Sequence, residues 1–122
     1  MSEGKEEVKT ISSQKAFEEY CKTKPKVKQC SMKDSTAFYV RAISAGDRDK
    51  LESTIMDKSG DYRSRVTLVC LSDEEGNRLY QDADFQRVRK LPAQVLSAVF
   101  HEGIAFNGMT GDEEDEEKRG ND

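Results

Sequence analysis

The residues this sequence has few of narrow its chemistry first. It holds one histidine, His101, in 122 residues. A Ser–His or Cys–His catalytic pair needs its histidine beside a nucleophile, and His101 falls on the polar side of an otherwise apolar helix, the place of a surface residue. The cysteines, Cys21, Cys30 and Cys70, are odd in number and widely spaced. That excludes a disulfide framework and a zinc spacing, and leaves reduced structural thiols. No run of about 18 apolar residues is present, so no membrane span is expected. The start, MSEGKEEVK, lacks the apolar segment of a secretory signal, which implies a cytosolic site of action. Positive charge is scarce too: the net charge is −4 and the pI near 5.2, against the basic patch that nucleic acid demands. Neither GxxxxGK[ST] nor GxGxxG occurs. The acidic stretch Asp73 to Asp84 fails as a calcium loop: counted from Asp73, the sixth residue is Arg78 and the twelfth Asp84, where glycine and glutamate are needed. Counted from Asp57, the sixth is Tyr62. No catalytic residue, cofactor site or metal ligand is therefore expected, and the chain reads as a non-enzyme.

Charged residues make up 36% and apolar ones 34%, enough for one modest core if the ends are discounted. Residues 1–10 read as a disordered N-terminus and 11–110 as a single compact domain. Residues 111–122 read as an acidic disordered tail, because the six acids from Asp112 to Glu117 repel one another and bury nothing. The most apolar window is Leu91 to Gly108, LPAQVLSAVFHEGIAFNG. Val95, Leu96, Val99, Phe100 and Ile104 recur at three- and four-residue spacings, the pattern of one helix face. Pro92 suits the first helical turn, and Asn107-Gly108 can supply the left-handed residue that ends a helix. Gln94, Ser97 and His101 lie opposite. This helix either forms the core or offers a partner surface.

The rest of the chain supplies its context. Ser12 or Ser13 caps a short helix, SSQKAFEEYCK, with Ala16, Phe17, Tyr20 and Cys21 on one face, stopped by Lys24-Pro25. VKQCSM and TAFYVRAI around Lys33-Asp34-Ser35 read as an antiparallel hairpin. Its lysines, Lys22 to Lys28, suit a guarded strand edge better than an RNA site. A two-stranded ribbon is marginal alone and must pack on helices. Ser44 opens a second helix, with Asp47 placed to reach back as in a capping box and with Leu51, Ile55 and Met56 on one face. It ends near Ser59-Gly60. In YRSRVTLVCLSDEEGNRLY, Val66, Leu68 and Cys70 alternate as in a strand, while Tyr62, Val66, Val69 and Cys70 fit a helix equally. Pattern leaves both open. A turn follows at Gly76-Asn77, then a short extended piece, Arg78 to Tyr80. Asp82 then caps a helix that turns Phe85, Val88 and Leu91 inward. The fold class is mainly α with a small β-hairpin (α+β): an N-terminal antiparallel hairpin packed on about four to five short helices.

The order of these segments resembles the tail assembly chaperones of long-tailed, siphovirus-type bacteriophages. In that family a strand runs into an L[ST]xxERD-like helix start, where this chain has Ile43-Ser44-Ala45-Gly46-Asp47-Arg48-Asp49. An RAxLVxxCxxDExGxxLF-like segment follows, matched here by Arg65, Val66, Leu68, Val69, Cys70, Asp73, Glu74, Gly76, Leu79 and Tyr80. An apolar helix then ends in an [SN]G[LM]-like sequence, here Asn107-Gly108-Met109. The resemblance spans roughly Phe38 to Glu114 and rests on order and spacing, since each motif is short. The N-terminal helix and the lysine-rich strand depart from the family pattern.

The resemblance favours helix for Tyr62 to Leu71 and implies a non-catalytic role. Family members coat the tape measure protein, keep it soluble, promote tail tube polymerisation around it, self-associate, and leave before the virion matures. In many such phages a programmed frameshift yields a longer form that recruits the tail tube protein. The implied location is the host cytoplasm. A groove or helix face for another chain needs exposed apolar side chains. Val95, Val99 and Phe106 are the partner-binding candidates, with Leu96, Phe100 and Ile104 as core. The alternative is a structural tail component of head–tail connector or terminator type.

Overall fold

The computed structural model describes residues 8–57 and 61–109, apart from the side chains of 55–57. It is an α+β fold of five helices and a three-stranded antiparallel sheet. The expected disordered stretch 1–10 lies in part, and the acidic tail wholly, outside the described residues. So do the inward role of Ile55 and Met56 and the helix end near Ser59-Gly60.

Helix α1 (Gln14–Lys22) starts where the Ser13 Oγ accepts from the Ala16 N–H at 3.0 Å. It stops at Thr23, whose hydroxyl donates to the Tyr20 carbonyl, two residues ahead of Pro25. Strands β1 (Val27–Ser31) and β2 (Ala37–Arg41) pair in the register Val27↔Arg41 to Ser31↔Ala37. The turn between them has three residues, Lys33 to Ser35, and Ser35 takes a left-handed φ of 74°. That geometry, with the Thr36 carbonyl accepting from Met32 N–H, is the bulged three-residue hairpin connection. Strand β1 is the sheet edge, as its lysines suggested.

Helix α2 (Ala45–Asp57) begins with the Asp47 N–H donating to the Ser44 Oγ at 3.1 Å. The second half of the expected capping box is different, because the Asp47 carboxylate pairs with the Arg41 guanidinium at 3.4 Å. The ambiguous segment is helix α3 (Tyr62–Cys70), followed by the two-residue strand β3 (Leu71–Ser72) paired with β2. Strand-like alternation there reflects a helix buried on several sides: Val66, Thr67, Leu68 and Cys70 are all buried. Gln81, rather than Asp82, caps the next element. Its N–H donates to the Asp84 carboxylate at 2.7 Å, opening a 3-10 turn, Asp82–Asp84. Short helix α4 (Phe85–Arg89) follows and buries Val88, while Leu91, expected inward, is 38% exposed. Pro92 then sits at the N-cap of helix α5 (Ala93–Phe106) rather than inside it.

The main hydrophobic cluster joins Cys30 and Val40 of the sheet to Leu51, Val66, Cys70, Val99 and Ile104. A smaller one, Leu68, Val88 and Leu96, lies under α4. Helices α3 and α5 approach closely at Gly103, where an added Cβ would come within 3.1 Å of the Cys70 Cβ and 3.2 Å of its Sγ. A side chain there would require Cys70 to give way by a few tenths of an ångström. Alternation along β1 and β2 turns Cys30, Phe38 and Val40 to these helices.

Candidate functional site

Helix α5 is where the sequence placed a partner surface, and its periodicity now resolves into two sides. Leu96, Val99, Gly103 and Ile104 are buried. Val99, one of the three partner-binding candidates, is only 2% exposed, packed in the main cluster with Val66 and Cys70. Its assignment to a partner face is corrected: α3 already covers that side of the helix. Phe106 is half-buried against the same cluster. Val95 alone of the three stands clear, 44% exposed, four residues after the exposed Leu91. Phe100, expected in the core, is half-buried at its rim. Tyr62 meets it edge-on at 5.7 Å and the Arg63 guanidinium lies 5.4 Å from its ring centre.

The C-terminal end of α5 is held by a residue whose role the sequence did not reveal beyond helix termination. The Asn107 Oδ1 accepts from the Ile43 N–H at 2.9 Å. Its Nδ2 donates to the Arg41 carbonyl at 3.1 Å and to the Gly103 carbonyl at 2.9 Å. One amide thus satisfies the last turn of α5 and the end of β2 together. Gly108 follows at φ 69°, the left-handed residue expected after the helix. Arg41 completes the joint from the other side: its Nε donates to the Val69 carbonyl at 2.7 Å, near the end of α3. The signal for both residues was polar side chains beside element ends. It named no partner.

The remaining chemistry-bearing side chains are dispersed. His101 is exposed and stacks edge-on against Phe100. Burial pushes the thiols of Cys30 and Cys70 up to about 11, so both stay protonated and weakly nucleophilic near neutrality. Cys21 is exposed on α1. Among the described residues, no group of three His, Cys, Asp or Glu side chains could hold a metal ion. No described helix is long and apolar enough to cross a membrane. Asp73 organises the turn after β3. Its Oδ1 accepts from the N–H groups of Glu75 at 2.8 Å and Asn77 at 2.9 Å, and Gly76 takes a φ of 92°. These bonds hold the Asp73 carboxyl below its ordinary pKa, the Asn77 N–H foremost.

The candidate site is therefore the exposed strip at the start of α5, with the half-buried Phe106 at its other end. It has the means for apolar contact with another chain. Compared with protein-family models, with curated proteins and with solved structures, the chain matches none of them.

Proposed function

We propose that this protein is a phage tail assembly chaperone, a non-catalytic protein that binds the tape measure protein, keeps it soluble and promotes tail tube polymerisation around it. The observation that carries the reading is the ordered series of segments in the sequence from roughly Phe38 to Glu114. The helix that the resemblance asked of Tyr62 to Leu71 is consistent with it, since α3 covers Tyr62–Cys70. Leu91 and Val95 provide exposed apolar side chains of the kind a helical client would meet. Self-association, and a frameshifted longer form that engages the tail tube protein, belong to the same proposal. So do action in the host cytoplasm and absence from the finished virion.

Co-expression with the tape measure protein of the same gene cluster tests it. The client is expected to become soluble and to co-elute with this chain, and Val95→Asp is expected to weaken that complex without unfolding the protein. A tape measure protein that stays insoluble, with no complex eluting, ends the proposal. Mass spectrometry of purified virions separates the structural alternative: a connector or terminator is present there, a chaperone is not.

A further inference from the structure

A second feature lies at the other end of α5. The described chain ends at Met109, whose N–H donates to the Ile104 carbonyl at 2.8 Å and whose side chain packs on the main cluster. A single peptide group ties this exit to the start of the sheet. Its carbonyl, that of Arg41, accepts from the Asn107 Nδ2 at 3.1 Å. Its N–H, that of Ala42, donates to the Lys26 carbonyl at 2.8 Å. The Lys26 oxygen and the Asn107 amide nitrogen are therefore no more than roughly 8 Å apart.

The connection from α1 to β1 is strongly cationic. From Lys22 to Lys28 it holds four lysines and no acid. Two of them are already met: Lys22 pairs with Glu19 at 3.7 Å and Lys28 with Glu102 of α5 at 3.1 Å. Lys24 and Lys26 pair with no carboxylate among the described residues. Both are exposed, and both line a cavity of about 290 Å³ together with Cys21, Arg41 and Glu75. Arg41 is committed to Asp47 at 3.4 Å, so two lysines face one glutamate there.

We propose that the acidic segment 112–117 docks on Lys24 and Lys26 of its own chain and clasps the connection between α1 and the sheet edge. Charge and tether both select this occupant. The six acids begin five residues after Asn107, an extended reach of roughly 17 Å, which covers Lys26 and its neighbour Lys24. A tether that short holds the two charges together at an effective concentration of about millimolar. The other cationic patch, Arg87, Arg89 and Lys90, precedes the far end of α5, a 14-residue helix roughly 21 Å long. Its arginines are already paired, Arg87 with Asp84 at 2.7 Å and Arg89 with Asp61 at 3.4 Å. A contact between exposed charges is weak and is screened by salt. It sets negative charge beside the free edge of β1, where unpaired backbone groups invite another strand. The assignment is independent of the tape measure reading.

The native cysteines supply the test. Cys21 alone of the three is exposed, so a nitroxide label on the ¹⁵N-labelled full chain marks the wall of this cavity. At low ionic strength the amide resonances of residues 112–117 are expected to lose most of their intensity. They are expected to regain it in 1 M sodium chloride, where the screening length is about 3 Å, and at low salt in the double variant Lys24→Gln/Lys26→Gln. Lys26→Gln alone is expected to lower the docked-to-free ratio about threefold, the size of one exposed charge pair, with an unchanged circular dichroism spectrum. Broadening that neither salt nor the double variant relieves overturns the proposal, as does its absence. The unlabelled chain gives a second reading. Neutralising the six acids, Asp to Asn and Glu to Gln, is expected to shift the amide resonances of Lys24, Lys26 and Val27 and to leave those of Arg87, Arg89 and Lys90 in place. The reverse pattern, or no shift at either patch, overturns the site. Mixing nitroxide-labelled ¹⁴N chain with unlabelled ¹⁵N chain checks the occupant: if residues 112–117 broaden there too, the tail reaches a second copy and the own-chain assignment falls.

Discussion

Helices α1 and α5 make opposite use of the same kind of pattern. Both gather their apolar residues at three- and four-residue spacings. In α5 that spacing is consumed by the fold: Leu96, Val99 and Ile104 are buried against α3 and the sheet. In α1 no residue is buried, and Phe17 and Tyr20 remain 54% and 49% exposed, with the Lys24 ammonium over the Tyr20 ring at 4.4 Å. An apolar face states that a helix has something to bury. Whether the domain itself does the burying depends on what lies opposite, and here Gly103 decides it by letting α3 come close to α5.

Substitutions at the two helices break or sharpen that contrast. Val99→Asp places a charge in the main cluster and is expected to abolish cooperative unfolding, an effect of roughly 4 kcal/mol or more. The same change at Val95 is expected to stay within about 0.5 kcal/mol by chemical denaturation. Equal effects at the two positions would erase the division of α5 into a core side and a free side. Asn107→Ala takes the acceptor from the Ile43 N–H and a donor from the Arg41 carbonyl, while the Gly103 carbonyl keeps the backbone N–H of residue 107, with an expected loss of about 2 kcal/mol. Gly103→Ala forces Cys70 to shift and is expected to lose about 1–2 kcal/mol by overpacking. On α1, by contrast, Phe17→Ser combined with Tyr20→Ser is expected to change stability by no more than about 0.5 kcal/mol. A large loss there would mean that α1 is held by the domain after all.

The smallest expected effect is one of pH, at the surface turns. Asp34, Asp73 and Asp84 are each held below the ordinary carboxylate pKa: Asp34 mainly by the Thr36 N–H, Asp73 by the Asn77 N–H, and Asp84 by the Arg87 guanidinium. A pKa depressed on folding stabilises the fold at pH above the unfolded value of about 4, and that contribution fades as pH falls through the folded value. Protection of the Glu75 and Asn77 amides, taken as the ratio of intrinsic to observed exchange rate at each pH, is expected to fall on acidification below that range while the α5 amides stay protected. Loss of both together would tie the turns to the core.

Local chemistry was legible in the sequence. The Ser13 cap, the hairpin with its turn at Lys33-Asp34-Ser35, the edge character of β1 and the glycine turn at Gly76 each depend on a few neighbouring residues. Legibility failed where a distant segment decides. Val99 and Val95 look alike on a helical wheel, and only the position of α3 distinguishes them. Asp47 was placed to reach back to its own helix start, but Arg41 of β2 claims it. Gln81 rather than Asp82 caps the turn before α4, since Asp84 is within reach of its N–H. The candidate site was half visible for the same reason: exposure is a property of the neighbours, and Val95 is free only because nothing described packs over the start of α5.

The Asn107 amide has a consequence in time. It binds the N–H of Ile43, 64 residues earlier in the chain. Synthesis delivers β1 and β2 first, and an isolated two-stranded ribbon is marginal in water. The hairpin therefore waits for α5, and the core closes only when nearly all of the described chain has left the ribosome. A nascent chain halted before Asn107 would present Phe38, Val40 and Val66 uncovered, so this protein passes its own synthesis in need of the kind of shelter we propose it gives to another.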